Sequence, residues 1–174
     1  MRADVEQQPD TQLLIRRTAE TDSDGLRTLR LQALQQHPEL FAVDYETERA
    51  KPAEAWVVQA RDSIIYVAVL EKHVIGMAGI SQGQTSKTRH KGDLWGVYVQ
   101  PAHRGQGIGE QLVGACIEWA HQQGMLYLNL VVGTTNTAAV GCYKKCGFRI
   151  YGVEPNCLLY QGVLYDEFVM TKEL

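Results

Sequence analysis

The chain has 174 residues, of which 45% are apolar and 21% are charged, and this composition is that of a folded globular domain. The length fits one domain that is large enough to bury a hydrophobic core. With a net charge of −3 the chain offers no broad basic surface, so nucleic acid is not expected as a partner.

The sequence indicates neither a targeting segment nor a metal site. Residues 1–12 are polar and lack the apolar centre of a signal peptide, and the apolar run at residues 64–70 is too short to cross a bilayer. We therefore expect a cytoplasmic protein without a membrane partner. The cysteines form no Cys-x-x-Cys pair and no histidine lies at zinc-site spacing from them, so we expect reduced thiols and no bound metal. They are Cys116, Cys142, Cys146 and Cys157.

Residues 1–12 are interpreted as a loose lead-in and residues 13–174 as one domain. Hydrophobic period, capping residues and proline positions divide this domain into helices and strands. The predicted strands are residues 13–17, 64–70, 74–80, 94–99, 126–132, 148–153 and 165–172. One predicted helix runs from the capping residues 21–24 to a point before Pro38, and the others are residues 52–60, a helix from Ile108 ended by Gly124, and residues 137–145.

The order of these elements is β-α-α-β-β-β-α-β-α-β-β, without an internal repeat. Hairpin strands come first, and strands then alternate with helices. This order predicts a single-domain α/β fold, of the mixed α+β kind, in which helices flank the faces of a mixed sheet.

A glycine-rich loop, residues 104–109, joins the strand at 94–99 to a strongly amphipathic helix. The first four N–H groups of a helix have no partner within it, and the helix dipole adds partial positive charge at the same end. Three glycines in the loop let a bulky anion approach the backbone closely. The loop therefore favours a phosphate or pyrophosphate as its ligand, with Arg104 adding a charge-assisted contact.

Two other nucleotide-binding patterns do not fit this loop. A dinucleotide fingerprint that starts at Gly105 needs glycine or alanine where Glu110 stands, and an acidic end to the next strand, which here ends Val-Val-Gly. A nucleotide P-loop needs Gly-Lys followed by Ser or Thr, and the loop has none. On these residues alone, a flexible turn that starts a helix stays the alternative to an anion site.

Two blocks of the sequence resemble the GNAT superfamily of N-acetyltransferases. Residues 104–109, Arg-Gly-Gln-Gly-Ile-Gly, match the acetyl-CoA signature of that family, Arg/Gln-x-x-Gly-x-Gly/Ala. Residues 136–148 are similar to its second block, Asn-x-x-Ala-x-x-x-Tyr followed by Gly-Phe. The resemblance extends over residues 13–174 and implies a central, mostly antiparallel, splayed sheet. It also implies an acyltransferase that moves an acetyl group from acetyl-CoA to a primary amine of a small molecule, a peptide or a protein.

The resemblance implies where the acetyl donor binds. The strand before the loop offers backbone groups to the pantetheine arm, the loop amides hold the pyrophosphate, and an asparagine hydrogen-bonds the cofactor arm. The residues implied are Val97, Tyr98, Val99, Arg104, Gly105, Gln106, Gly107, Ile108, Gly109, Asn136 and Tyr143.

The resemblance also implies roles in the chemistry. Tyr143 is placed near the CoA sulfur, where its phenol can protonate the leaving thiolate, and Asp93 stands where related sequences often carry a glutamate base. Asp93 is shorter by one methylene, so action through water, or a surface role without catalysis, stays open. Packing on a helix face is the alternative for Tyr143, and a helix N-cap is an alternative or additional role for Asn136. The oxyanion donor is expected to be the backbone N–H of Val97 or Val99.

The acceptor is not identified by the sequence. Asp44, Glu46 and Glu48 could attract a cationic amine, although a solvated acidic loop is the simpler interpretation. In the family, acceptor specificity comes largely from loops that correspond here to residues 37–49, 82–91 and 156–163.

Further expectations concern the histidines, the protein class and the assembly. The histidines, His37 and His103 among them, are expected to be exposed. A non-catalytic acyl-CoA-binding sensor is the alternative to an enzyme, and the presence of both Asn136 and Tyr143 favours the enzyme. A monomer or a homodimer is expected.

Overall fold

The structure, a computed structural model, describes residues 12–174, so nearly all of the predicted lead-in at residues 1–12 lies outside the described residues. The strands are β1 (Leu14–Arg17), β2 (Ile64–Leu70), β3 (His73–Gln82), β4 (Lys91–Val99), β5 (Tyr127–Gly133), β6 (Arg149–Tyr160) and β7 (Val163–Glu173). The helices are α1 (Ser23–Gln36), α2 (Tyr45–Arg49), α3 (Ala53–Asp62), α4 (Ile108–Gln122) and α5 (Thr137–Lys145). Single turns of 3-10 helix cover Glu20–Asp22, Pro38–Leu40 and Pro101–His103.

The strands of residues 12–174 form one open sheet in the order β1-β2-β3-β4-β5-β7-β6. Strands β4 and β5 are parallel, and every other neighbouring pair in this sheet is antiparallel. Helix α4 provides the crossover that a parallel pair requires. The predicted fold class, a single-domain mixed sheet that is mostly antiparallel and flanked by helices, is confirmed.

The two central strands separate along their length. Pairing of β4 with β5 is limited to Lys91, Gly92 and Asp93, although β4 continues to Val99. Beyond Asp93 the edge of β4 that faces β5 has no strand partner in the described sheet, so its backbone groups stay available for other hydrogen bonds. The predicted splay is present here, and it opens the space in which the candidate site lies.

A β-bulge in β4 changes which side chains point to each face of the sheet. Two residues of β4, Gly96 and Val97, lie opposite one residue of β3. Gly96 takes a φ of +62°, which a residue without Cβ adopts at little cost. As a result Val97 joins Leu94 in the core that contains α4, whereas Trp95 packs against the core that contains α1.

Two hydrophobic cores lie on opposite faces of the sheet. On one face, α4 buries Leu112, Cys116 and Ala120 at helical spacing, and on the other, α1 and α3 bury Leu29 and Trp56. Successive residues of β2 alternate between the two cores, as the pleat of a strand requires. Each fully buried large side chain contributes roughly 1.5–3 kcal/mol relative to exposure, so the sheet is stabilised from both faces.

Helix α2 is absent from the sequence-based prediction. It has five residues, and Asp44 caps it by accepting a 2.8 Å hydrogen bond from the N–H of Thr47. Five residues are too few to show a helical hydrophobic period, which is why the pattern did not predict it. Among the helices of residues 12–174, none has both the length and the apolar character that crossing a bilayer would take.

Residues 156–163, predicted to be a loop, belong instead to the hairpin of β6 and β7. Only Gln161 and Gly162 form the turn, with φ values of +49° and +79°, both positive as in a type I′ hairpin. The prediction was wrong because Asn156, with a φ of +55°, lies in an irregularity that shifts the register of β6. This shift interrupts the alternation by which strands are recognised in a sequence.

Candidate active site

A cavity of about 510 Å³ lies where β4 and β5 separate. Its wall is formed by the end of β4, the glycine loop of residues 104–109, the first turn of α4 and one side of α5. Of the residues predicted to hold the donor, Gln106 is not part of this wall. The others are Val97, Tyr98, Val99, Arg104, Gly105, Gly107, Ile108, Gly109, Asn136 and Tyr143. The fold therefore brings the two family-like blocks to one site.

The glycine loop presents backbone rather than side chains to the cavity. Gly105 and Gly107 have φ values of +76° and +75°, and around Gly105 no heavy atom lies within 4 Å of the position that a Cβ would occupy. Gly107 is the N-cap of α4, so the N–H groups of Ile108 and Gly109 have no partner within the helix. An anion in the cavity would meet free amides at the positive end of the helix dipole.

Arg104 holds the glycine loop against the end of β4. Its Nε donates to the carbonyl oxygen of Val99 at 2.9 Å, and its guanidinium carbon lies 5.4 Å from the centre of the Tyr98 ring. A terminal guanidinium nitrogen lies 3.3 Å from Nε2 of His37. The prediction that His37 and His103 are exposed was wrong, since both are half-buried in the cavity wall. The fold brings the end of α1 and the turn before the loop to this wall, which chain position alone does not show.

The free edge of β4 offers amide donors to the cavity. The N–H of Gln100 donates to the carbonyl of Ile75 in β3 at 2.9 Å, so by alternation the backbone groups of Val99 point the other way, towards the opening. The carbonyl of Val99 accepts its hydrogen bond from Arg104 on that side, which agrees with this orientation. Val97, two residues earlier, belongs to the bulge and also lines the cavity. Both predicted oxyanion donors thus lie at the cavity, and their role stays a prediction.

Tyr143 of α5 borders the cavity from within the core. Its side chain is 7% exposed, and its ring packs edge-to-face on Phe148 with the centroids 6.1 Å apart. Burial raises the pKa of Tyr143 far above that of a solvated tyrosine, so the phenol is protonated at neutral pH. Core packing, the predicted alternative, is thus present, and it leaves the phenol in the state that a proton donor needs.

Asn136 caps the helix that carries Tyr143. Its Oδ1 accepts a hydrogen bond from the N–H of Ala139 at 3.2 Å, so the predicted N-cap role is confirmed. The amide nitrogen of Asn136 is not used by this cap, and the residue borders the cavity. Capping and donor binding therefore do not compete for the same atom.

Asp93 does not border the cavity that Tyr143 borders. It is exposed, pairs with Asn129 of β5 where the strands still meet, and lies on the same face of β4 as Trp95. Along the strand it is four residues, roughly 10–13 Å, from Val97. The structure thus does not bring the predicted acid and base together, and a base at Asp93 would need intervening water.

Charged and thiol groups that were not predicted also border the cavity. Glu110 pairs with Lys145 of α5 at 3.3 Å, and its own backbone N–H lowers the pKa of its carboxyl group. Burial raises the pKa of Cys142 to about 12, so this thiol is uncharged and packs beside Gly109. Their signal in the sequence is their place in or next to the two blocks, within two residues of Gly109 or of Tyr143.

A second cavity, of about 580 Å³, lies beside the first, and Phe41 borders both. The acidic residues predicted for this region have partners within the chain. Asp44 caps α2, and Glu46 and Glu48 form ion pairs of 2.7 Å with basic residues three positions later. These contacts favour the structural interpretation of the acidic residues over a binding role.

Comparison with known proteins identifies a family for the chain. The model of the acetyltransferase (GNAT) family matches residues 28–148, more than half of the chain. N-acetyltransferase 8 of Homo sapiens is 32% identical over 99 residues, which are 56% of this chain and 44% of that protein. Streptothricin acetyltransferase of Streptomyces lavendulae is 32% identical over 102 residues, 58% of this chain and 51% of that protein. The chain spans about half, or less, of the length of the curated relatives it matches.

A third relative and two solved structures complete the comparison. The L-methionine sulfoximine/L-methionine sulfone acetyltransferase of Pseudomonas aeruginosa is 39% identical over 59 residues, 34% of each protein. The acetyltransferase of GNAT family from Streptococcus pneumoniae superposes with a TM-score of 0.84 and 27% identity, over 94% of this chain and all of that one. The structure of yncA from Salmonella typhimurium with its cofactor acetyl-CoA shares the fold, with a TM-score of 0.80, 21% identity and 94% of each chain covered. The matched segment, residues 28–148, contains both of the sequence blocks that line the cavity. The chain therefore belongs to the acetyltransferase (GNAT) family.

Proposed function

We propose that this chain transfers an acetyl group from acetyl-CoA to a primary amine by direct attack of the amine on the thioester. Membership of the family supports this proposal, as does a fold shared with a complex that contains acetyl-CoA. Relatives are named as acetyltransferases of streptothricin and of L-methionine sulfoximine, so family membership leaves the acceptor open.

The residues of the cavity fit acetyl-CoA. The free amides of Ile108 and Gly109 would hold the pyrophosphate, and Lys145 would add a cation beside it. The amide of Val99 would hydrogen-bond the pantetheine arm, which would lie along β4 as an added strand does. Bound there, acetyl-CoA supplies an activated acetyl group.

Two groups of the chain act on the charge that develops during transfer. The N–H of Val97 donates to the carbonyl oxygen of the acetyl group, which gains negative charge as the amine attacks. The hydroxyl of Tyr143 donates a hydrogen bond to the departing sulfur. The raised pKa of Tyr143 exceeds the pKa of a thiol, which is roughly 8.5, so the phenol does not give up its proton to sulfur on its own. The proton passes to sulfur only as the phenol oxygen takes up another proton from solvent.

The acceptor amine must attack in its uncharged form. Asp93 is exposed, on the face of β4 that carries α1. It lies too far along the strand from Val97 to contact the reacting nitrogen directly. We therefore assign deprotonation of the amine to water, with Asp93 as the carboxylate that receives the proton through it.

The observation that carries the proposal is the meeting of two features at one cavity: free amides at the start of α4 and a buried, protonated Tyr143. Either feature alone has a structural explanation, as a turn or as core packing. Acetyl-CoA carries both a pyrophosphate and a thioester, so its site must offer both features at one cavity between the separated strands.

The test is release of CoA thiol from acetyl-CoA over a panel of polyamines, amino acids, aminoglycosides and peptides. We expect amine-dependent release by the wild-type chain, and a fall in kcat of about 100-fold in Tyr143→Phe with acetyl-CoA affinity unchanged. Tyr151→Phe is the matched control, because Tyr151 is 57% exposed and borders neither cavity.

Two outcomes would contradict the proposal. A rise in melting temperature with acetyl-CoA, but no thiol release with any amine, would identify a non-catalytic acyl-CoA-binding protein. Unchanged turnover in Tyr143→Phe, with the chemical step shown to limit the rate, would remove Tyr143 from the mechanism.

A further inference from the structure

Arg30 of α1 is half-buried at the bulge of β4. Its guanidinium carbon lies 5.0 Å from the centre of the Phe41 ring, and one terminal nitrogen lies 3.9 Å from the position that a Cβ would take at Gly96. Among the described residues Arg30 forms no ion pair. The charge of Glu48 acts on Arg30, but Glu48 forms its ion pair with Lys51 at 2.7 Å. The fold thus holds a guanidinium with unused donors at this point.

The surroundings of Arg30 shield it partly from water, and no ion-pair partner is present among residues 12–174. Desolvation lowers the pKa of Arg30, against the opposing effect of Glu48. Arg27, three positions earlier and on the same side of α1, has a buried Nε without a hydrogen-bond partner in the described part of the chain. Buried polar groups are normally hydrogen-bonded, because an unpaired one costs free energy. Two neighbouring arginines with unused donors point to an anionic ligand.

Arg30 itself lines neither cavity, but its neighbours relate it to the acceptor rather than to the donor. Gly96 directly precedes Val97, whose side chain borders the donor cavity, and Phe41 borders both cavities. The donor phosphates have their own amides at the start of α4, beyond the end of β4. Successive residues of a strand lie about 3.3 Å apart, so a group at Gly96 and a group at Val97 can belong to one small molecule.

We propose that Arg30 binds the α-carboxylate of the acceptor, which is therefore a free α-amino acid. The inference rests on the proposed acetyl transfer and names its substrate class. A guanidinium binds a carboxylate through two parallel hydrogen bonds. At Gly96 the guanidinium of Arg30 lies against β4, and Met77 Cε lies closer still, 3.3 Å from the Cβ position. In an α-amino acid the amine and the carboxylate share one carbon, so a carboxylate held at Arg30 sets the amine towards Val97.

The test compares each L-amino acid with its amide, which keeps the amine and side chain but lacks the carboxylate. For the preferred amino acid, kcat/KM of the wild-type chain is expected to exceed that of the amide by about 10- to 100-fold, the range for losing hydrogen bonds to a charged group. Arg30→Met is expected to lower kcat/KM for the amino acid far more than for the amide, so that this ratio falls close to one. Arg30→Lys, which keeps the charge but not the paired donors, should give an intermediate ratio.

Arg61→Met serves as the matched control, since Arg61 is an exposed helical arginine that pairs with Asp62. Its acid-to-amide ratio should equal that of the wild-type chain. An amide as good as its amino acid in the wild-type chain would overturn the inference while leaving acetyl transfer intact. So would an equal loss on acid and amide in both Arg30 variants, which would indicate a purely structural arginine. If no amine of any kind releases thiol, the proposed function fails as well.

Discussion

The family resemblance assigns catalytic roles to Tyr143 and Asp93, but the two side chains lie in different environments. Tyr143 packs into the core that contains α4, where burial keeps its phenol protonated and its ring fixed against Phe148. Asp93 is exposed on the opposite face of β4, before the bulge at Gly96 reverses the alternation. Tyr143 thus borders the cavity and stays a candidate acid, whereas Asp93 could act as a base only through water.

At this scale we predict a small effect for Asp93→Asn. A base in direct contact with the reacting amine contributes about 10²–10⁴-fold, and action through water contributes less, so kcat/KM should fall by no more than about tenfold. The measurement is kcat/KM for the best acceptor from pH 6 to pH 9, with Asp62→Asn as an exposed control. A loss above 100-fold would show that Asp93 touches the amine and that the chain closes around its acceptor.

The first turn of α4 is the element on which the proposed donor binding depends. Its N-cap, Gly107, has a φ of +75°, and the side chain of Glu110 approaches only to 4.0 Å of the position of a Cβ there. The amides of this turn are free because of helix geometry, and Lys145 of α5 neutralises the single carboxylate nearby. In the proposed anion site, a helix start with a left-handed glycine cap matters more than any single charged side chain.

At the scale of this element we predict that Gly107→Glu abolishes stabilisation by acetyl-CoA. The added carboxylate lies beside the pyrophosphate and opposes its charge. The wild-type chain should gain about 2.7 kcal/mol at a ligand concentration of 100 times Kd, measured as a rise of several degrees in Tm.

Gly124→Glu is the matched control for this prediction. Gly124 has a φ of +68°, with no heavy atom within 4 Å of its Cβ position, and lies at the other end of α4. Both variants carry the same strain and the same added charge. Loss of the shift in both would mean that the substitution harms the helix as a whole, and a full shift in a folded Gly107→Glu would refute the pyrophosphate assignment.

Residues 12–174 form one sheet that is stabilised by helices on two faces and opened between its central strands. The edge strand β1 has four residues, so its attachment depends on more than strand pairing. Asp22, at the start of α1, is 8% exposed and accepts hydrogen bonds of 2.6 and 2.8 Å from Arg16 of β1. It also accepts from the N–H of Ala19 at 2.8 Å, so one carboxylate joins the sheet edge to the helical layer.

At this scale we predict that the free energy of unfolding depends on pH through Asp22. The hydrogen bond from Arg16 lowers the pKa of Asp22 in the folded chain, whereas an unfolded aspartate titrates near 3.9. A lowered folded pKa stabilises the fold above the unfolded pKa, and the stabilisation is lost as the pH falls through the folded value.

Asp22→Asn should therefore lower the free energy of unfolding by about 1–3 kcal/mol at pH 7, and the difference from wild type should shrink below pH 4. Urea unfolding at several pH values measures this difference. Asp62→Asn, which removes an exposed pair, should change stability little. A difference that stays constant down to pH 2 would show that Asp22 stabilises by packing and not by charge.

Much of this organisation could be predicted from local sequence because local physics decides it. The glycine loop, the amphipathic α4 and the Asn-capped α5 follow from backbone freedom, periodicity and capping, which act within a few residues. The hairpin of β6 and β7 was mispredicted because the irregularity at Asn156 breaks the period that marks a strand. Helix α2 was missed because its few residues carry no period.

The sequence by itself determined the fold class, the order of elements apart from α2, and the glycine-rich start of α4. The tertiary structure alone decided which side chains meet: Tyr143 with the glycine loop, His37 with Arg104, and Arg30 with the bulge at Gly96. It also separated Asp93 from Tyr143. The physical reason is that a strand's pairing, its bulge and the splay between neighbours depend on residues far apart in the chain. A one-residue bulge exchanges the faces of all that follows, and no local pattern records which partner imposes it.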